Sequence, residues 1–349
     1  MSRNYPRNKV LLYLAPVLCV IAAAVFVYTS HQQLAVKSPN HVSLRLPIPI
    51  VEAGSAPFFV AVDKGFYRDE GLDVDIRMGS KELNPVKMVA TGTDTFGVLG
   101  GPDTLLVARS NGAPLTAIMI LHRNANLSVV ISLVSSKISK VEDLRDKKIG
   151  FYYGHISTDI LRDLFRSQHV PIKEVDVGFD YSPLINKQVA ASWGFRTTAG
   201  LDLPAQGIQI NMINPVDYGI VSHGYTVFAK DQTLSANPDI VERFTIATLR
   251  GIRYTVDHPE DANQSLLKRD PNLDPALSLK RLLLYNAVMS STPAYPPGYM
   301  DSQMFQETYD RLKAVGVITK EFDPKTAFTK QFTQAAYRQP GILASATQP

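Results

Sequence analysis

The 349 residues are 45% apolar and 19% charged, enough to bury a large core, and length alone favours two lobes over one. The formal charge of +4 comes from Lys and Arg scattered among Asp and Glu, with no block of like charge and no basic stripe interleaved with aromatics, which argues against a nucleic-acid partner. Cys19 is the only cysteine and lies in the apolar N-terminal stretch, so the folded body has neither a disulfide framework nor a thiolate metal ligand.

Arg3, Arg7 and Lys9 precede Val10 to Tyr28, an uncharged apolar run that directs the chain to a membrane, the basic flank staying cytoplasmic and the body crossing. As a helix this run would be about 28 Å long, close to the roughly 30 Å of a hydrocarbon core, which favours an uncleaved anchor over a signal peptide. Ala22 to Ala24 offer a cleavage site, but cutting there leaves a greasy terminus at Val25, and bulky Leu18 argues against lipoprotein processing at Cys19. Residues 1–40 are therefore read as anchor or signal peptide plus linker.

The body opens with VSLRLPIPIV, a strand whose Pro47 and Pro49 confine its later part to an edge or a loop. Ser55 is placed to cap a helix with Pro57 in its first turn, and Phe58, Val62 and Phe66 recur at helical spacing up to a left-handed stop at Gly71. Leu72, Val74 and Ile76 then alternate with Asp73 and Asp75 as a strand. A short helix over 85–91, a buried strand over 95–99, a helix over 102–110 and apolar, strand-like runs over 115–122 and 127–134 follow. Ser139 and Glu142 form a capping-box pattern before VEDLRD, and the cycle restarts with a strand at 148–153 and an amphipathic helix carrying Ile160, Leu161, Leu164 and Phe165. Strands at 175–179, around AASWG and at 208–213 alternate with short helices. The chain then turns helical over 240–250, 259–268, 275–290 and 301–315. Strands alternating with helices of roughly ten residues call for mainly parallel sheets covered on both faces, an α/β fold.

Catalytic and metal signals are weak. The seven histidines include no HExxH and no close pair, LGG at Leu99 to Gly101 lacks the Lys and Ser/Thr of a phosphate loop, and Asp69 to Asp75 has the spacing of a helix stop and strand rather than a calcium loop. Neither metal nor cofactor is expected.

With these elements placed, KGFYRDEGLDV, TDTFGVLGGPDTLLVARSNGAPL, VEDLRDKKIGFYYG, DYGI, NPDIVERF and HPEDA resemble the marks of the thiamine-precursor-binding and SsuA-like receptors of ABC importers, over roughly Val42 to Phe332. The resemblance implies a type II periplasmic-binding-protein fold of two α/β lobes joined by two crossing segments, lobe 1 at 42–132 and 228–345 and lobe 2 at 133–227. It implies a monomeric, non-enzymatic receptor on the outer side of the cytoplasmic membrane, capturing a thiamine-precursor-like pyrimidine and handing it to a permease and its ATPase. Nitrate, alkanesulfonate or taurine receptors share the fold. Some fungal relatives that make the thiamine pyrimidine in a self-consuming reaction carry a cysteine-rich run where this chain has HGYTVFAKDQTL. Pyrimidine-binding relatives usually carry a tryptophan at the end of the first strand, where this chain has PIPIVEAG, and the family often has an acidic residue in the strand where this chain reads QVAASWG.

In such a fold the ligand lies beyond the carboxyl ends of the strands, where helix N-termini offer free amides. The loops concerned are Glu52 to Ser55, Gly100 to Asp103, Gly154 to Thr158 and Ser192 to Arg196. Trp193, the only tryptophan, and Tyr153 are placed to stack on a planar ligand or to pack in the core. Of Phe58 and Phe59 one is core. Glu52 and Asp103 are candidate acceptors for an exocyclic amine, His155 and Arg196 candidate partners of an anion, and Ser157 and Thr158 candidate donors or helix caps. Gly101 completes the candidate set.

Overall fold

A computed structural model describes residues 40–80, 82–153, 156–289, 295–339 and 342. Val10 to Tyr28, the linker to residue 39 and His155 lie outside the described residues. Among those described, no helix is long and apolar enough to cross a membrane.

In chain order the strands are β1 (Asn40–Arg45), β2 (Leu72–Arg77), β3 (Phe96–Leu99), β4 (Leu115–Ile120), β5 (Ser128–Leu133), β6 (Lys148–Phe151), β7 (Lys173–Asp176), β8 (Ala191–Phe195), β9 (Ile210–Ile213) and β10 (Thr226–Lys230). They form two five-stranded sheets, ordered β2-β1-β3-β10-β4 and β7-β6-β8-β5-β9. The first three strands of each order pair in parallel, whereas β10 and β5 run antiparallel to both of their neighbours. Helices of eight residues or more are α1 (Ala56–Asp63), α2 (Pro102–Ser110), α3 (Ile156–Ser167), α4 (Pro238–Asp257), α5 (Pro259–Leu267), α6 (Pro275–Met289) and α7 (Ser302–Ala314).

The expected single helix up to Gly71 is two. Gly65 takes φ +76°, a left-handed value open to glycine, so α1 stops at Asp63 and a separate turn, Phe66–Asp69, follows. Pro57 does sit in the first turn of α1, but the Ser55 hydroxyl makes no capping bond. In the short Val141–Leu144 helix, Asp143 rather than Glu142 accepts the Ser139 and Lys140 amides, at 3.0 and 3.2 Å. Phe58 and Phe59 are both core, buried with Phe96 and Phe244, whose rings stack at 3.9 Å where α4 covers the first sheet.

The largest difference concerns β5 and β10. From Ser128 onward the chain is hydrogen-bonded into the second sheet, so the outward crossing runs through 121–127, earlier than the expected position near 132. The return runs through 214–225, and β10, a strand not expected from the sequence pattern, inserts between β3 and β4 of the first sheet. The two crossings bond to each other: Gly224 N–H donates to His122 O and Leu121 N–H to Tyr225 O, both at 2.8 Å, and Asn126 N–H donates to Ser222 O at 3.2 Å.

Charged contacts span the two lobes. Arg311 on α7 donates to Asp103 on α2 of the first lobe and to Asp163 on α3 of the second. Both carboxylates have only 5% of their side-chain surface exposed, and burial raises the Asp163 pKa although the guanidinium opposes it. Removing one partner of a buried ionic cluster strands the others without compensation. Arg311→Met is therefore expected to lower unfolding stability by about 3–5 kcal/mol in urea denaturation, with Asp163→Asn in the same background recovering part of the loss.

Candidate functional site

Where the carboxyl ends of strands from both sheets face the crossings, a cavity of about 400 Å³ opens. One side comes from the first lobe: Pro47, Ile48 and Ile50 after β1, Leu99 and Gly100 at the end of β3, Thr104 on α2, and Arg281 and Tyr285 on α6. The facing side comes from the second lobe: Ile160 on α3, Phe179 and Tyr181 after β7, Phe195 at the end of β8, and Thr198 and Asp202. The crossings close it with His122, Leu127, His223 and Tyr225. The prolines after β1 cannot continue a central strand, which is why that segment turns away as a cavity wall.

The polar end is organised around Glu52. The Tyr225 hydroxyl donates to one of its carboxylate oxygens and the Tyr285 hydroxyl to the other. Burial pushes the Glu52 pKa up to about 7, against the Tyr225 hydrogen bond and the charge of Arg281. The His122 ring packs against the Tyr225 and Tyr285 rings, with centroids at 5.1 and 4.9 Å. Burial lowers its pKa to about 3, so it is neutral at physiological pH. His223, whose Nδ1 accepts the Asn124 amide at 3.1 Å, is lowered to about 4, chiefly by burial. Arg281 pairs across the cleft with Asp202, and Thr197 reaches the Tyr285 hydroxyl at 3.4 Å. Gly54 keeps this packing possible: a Cβ there would stand 2.8 Å from Tyr285 Cε1 and 3.1 Å from His122 Cε1.

Of the residues singled out from sequence, Glu52 lines the cavity. Ser55 and Phe58 are buried in the first lobe, Phe58 in its hydrophobic core. Gly101 is the buried residue preceding α2, beside the cavity-lining Gly100. Asp103 does not face the cavity but is taken by Arg311. Tyr153 is 45% exposed and outside the cavity lining, because β6 ends at Phe151 and its ring lies by Arg162, 5.5 Å from the guanidinium carbon. Thr158 is buried and donates to Tyr152 O at 2.5 Å, tying α3 to the end of β6. Arg196 is exposed, and the side chains of His155 and Ser157 lie outside the described residues.

Trp193 is fully buried, its Nε1–H donating to Gly178 O at 2.8 Å. It is a core residue that backs the cavity wall, with Phe179, Tyr181 and Phe195 at centroid distances of 5.3, 6.1 and 5.6 Å. Sequence reasoning missed Tyr181, Phe195, Tyr225, Tyr285, His122, Arg281 and Asp202. Phe195 had a usable signal, since it ends the same short strand as Trp193. Tyr285 and Arg281 had none, lying on a helix more than two hundred residues from Glu52.

Among the described residues no group of three His, Cys, Asp or Glu side chains converges as a metal site. The arrangement is suited to enclosing a flat, partly polar molecule: aromatic faces on one lobe, and hydrogen-bonding groups on the crossings and on the other lobe.

Residues 52–262 match the sequence family described as NMT1/THI5 like. The chain is 26% identical over 290 residues to the riboflavin-binding protein RibY of Chloroflexus aurantiacus, covering 79% of this chain and 82% of that protein. It is 26% identical over 271 residues to the formylaminopyrimidine-binding protein of Halalkalibacterium halodurans, covering 73% and 80%. It is also 25% identical over 285 residues to the 4-amino-5-hydroxymethyl-2-methylpyrimidine phosphate synthase of Legionella pneumophila, covering 79% and 87%. In three dimensions it resembles the periplasmic sulfonate-binding protein SsuA of a sulfonate ABC transporter from Methylobacillus flagellatus, with TM-score 0.68 and 15% identity over 90% of this chain and 99% of that one.

The Glu52 carboxyl makes stability depend on pH. Its pKa is higher in the folded state than the ordinary 4.5, so its contribution is full below about pH 4.5 and is lost as pH rises through about 7. At about 1.36 kcal/mol per pH unit, the stability of the wild type relative to Glu52→Gln is expected to fall by about 3 kcal/mol between pH 4 and pH 8, measured by urea denaturation of both proteins.

Proposed function

The chain belongs to the NMT1/THI5-like family, and from that premise we propose that it is the solute receptor of an ABC importer, capturing a small planar heteroaromatic, a thiamine-precursor-like pyrimidine, between its lobes and delivering it to a membrane permease. The observation that carries this reading is the cavity itself: enclosed between two sheets joined by paired crossings, walled by Phe179, Tyr181 and Phe195, and ended by a carboxyl group poised near neutrality. The aromatic wall offers a face on which a heteroaromatic ring stacks, and Glu52 accepts hydrogen bonds from an exocyclic amine when ionised. Closure of the two lobes on the ligand presents the permease with a surface that the open form lacks. In this reading the receptor is a monomer on the outer face of the cytoplasmic membrane, held or exported there by Val10 to Tyr28.

Two observations weigh against other members of the same fold or family. A nitrate or sulfonate receptor needs an uncompensated cation in the cleft, whereas Arg281 is paired with Asp202 and Arg196 is exposed. The fungal pyrimidine synthases carry a cysteine-rich run at the position of HGYTVFAKDQTL, which holds no cysteine. A second ligand reading, a fused-ring compound such as riboflavin, draws support from the volume: about 400 Å³ lies within the roughly 300–1,000 Å³ that accommodates drug-sized ligands and leaves room beyond one pyrimidine ring.

Thermal-shift measurements on residues 36–349 test these readings against one another. At a hundredfold excess over Kd a ligand adds about 2.7 kcal/mol, so 4-amino-5-hydroxymethyl-2-methylpyrimidine or riboflavin is expected to raise Tm by about 5 °C or more. A shift with nitrate or taurine alone would overturn the proposal, and turnover of a substrate without a transporter would move the assignment to the synthase branch.

A further inference from the structure

Resting on the receptor reading above, we propose that His122 sets which ligands the cleft accepts: its Nε2–H is a fixed hydrogen-bond donor that calls for an acceptor, such as a carbonyl oxygen or an unprotonated ring nitrogen, on the ligand's edge. The tautomer follows from the bonding. His122 Nδ1 accepts the backbone N–H of Tyr225 at 3.3 Å, so the one proton of the neutral ring sits on Nε2. The side chain is 1% exposed and lines the cavity, yet Nε2 finds no partner in the protein. A buried donor without an acceptor is unfavourable and uncommon in native structures, which marks a place where a second molecule supplies the missing oxygen or nitrogen.

The ring has little room to turn elsewhere. Tyr225 and Tyr285 pack against it, and a Cβ at Gly54 would stand 3.1 Å from its Cε1 and one at Gly224 2.8 Å from its Nδ1. Its own backbone carbonyl is held by Gly224 N–H at 2.8 Å. A donor immobilised this way costs no reorganisation when the ligand arrives. A neighbour reinforces the same polarity. Arg281, which gives Nη2 to Asp202, has a buried Nε–H without a partner. Two donors without acceptors thus line one cavity, which favours a ligand edge carrying lone pairs and disfavours a protonated ring or an ammonium group turned toward them.

The test is calorimetric titration of the full chain with 4-amino-5-hydroxymethyl-2-methylpyrimidine, which offers ring nitrogens, and with riboflavin, which offers carbonyl oxygens and ring nitrogens. His122→Gln, with an amide donor of similar reach, is expected to bind within about threefold of wild type, and His122→Met, of the same length without a donor, to lose about tenfold. For the pyrimidine, an analogue with CH in place of the contacted ring nitrogen should lose nothing further in His122→Met. Equal binding by His122→Met and wild type, or equal losses in both variants, would overturn the assignment, the latter because a merely structural histidine predicts it. Histidine-selective ¹⁵N–¹H spectra of the ligand-free protein at pH 7 add an independent measurement that needs neither a variant nor a ligand. An Nε2–H tautomer supports the proposal, and an Nδ1–H tautomer or an imidazolium at His122 overturns it. If wild type binds neither compound the receptor reading falls, and the spectra judge His122 separately.

Discussion

The two chain crossings are hydrogen-bonded to each other through Leu121, His122 and Asn126 on one strand and Ser222, Gly224 and Tyr225 on the other, and the site is built on this pairing. It is a consequence of topology: β5 and β10 each run antiparallel inside the sheet they enter, so the outward and return segments lie side by side. A crossing made of one free strand would leave its backbone groups unpaired at the cavity wall, at a cost the ladder avoids. The same ladder places His122, His223 and Tyr225 at the bottom of the cleft, where no helix or single sheet could bring them together.

Above this base, burial and charge pairing act in opposition. Arg281 with Asp202, and Arg311 with Asp163, cross from one lobe to the other, so Asp202 and Asp163 meet these cations only when the lobes are together, whereas Arg311 keeps Asp103 within the first lobe. Such pairs add little net stability over apolar packing, but breaking them is costly, so they favour the arrangement in which the lobes meet. Glu52 is the exception, since its carboxyl receives two tyrosine hydroxyls in place of a direct cation and stands close to neutrality. A carboxyl in that condition reads hydrogen-bonding pattern more than charge, which accords with a heteroaromatic ligand and poorly with an inorganic anion.

Much of the architecture was legible because its causes are local. The Leu72, Val74 and Ile76 alternation produced β2, Pro102 to Ser110 became α2 residue for residue, and the Ile160, Leu161, Leu164 and Phe165 face of α3 is buried as its spacing requires. Where a local signal competed with another, the expectation failed: Gly65 broke a helix that hydrophobic spacing carried through, and Asp143 took the cap assigned to Glu142. Trp193 shows the limit for single residues. Its position at a strand end follows from the pattern, but which face of β8 meets the core depends on the helix above it, and that choice turned the side chain inward behind Phe179, Tyr181 and Phe195.

Sequence by itself determined the alternation of strands and helices and with it the α/β class, because periodicity, proline and glycine act over a few residues. Tertiary structure alone decided which sheet β5 and β10 join, and with them the positions of the crossings. It also decided that Glu52 meets Tyr225 and Tyr285, and that Asp103 is consumed by Arg311 instead of facing the ligand. These contacts join residues up to 233 positions apart, and their energies come from desolvation and pairing in a shared interior, quantities that no stretch of sequence holds until the chain has closed on itself.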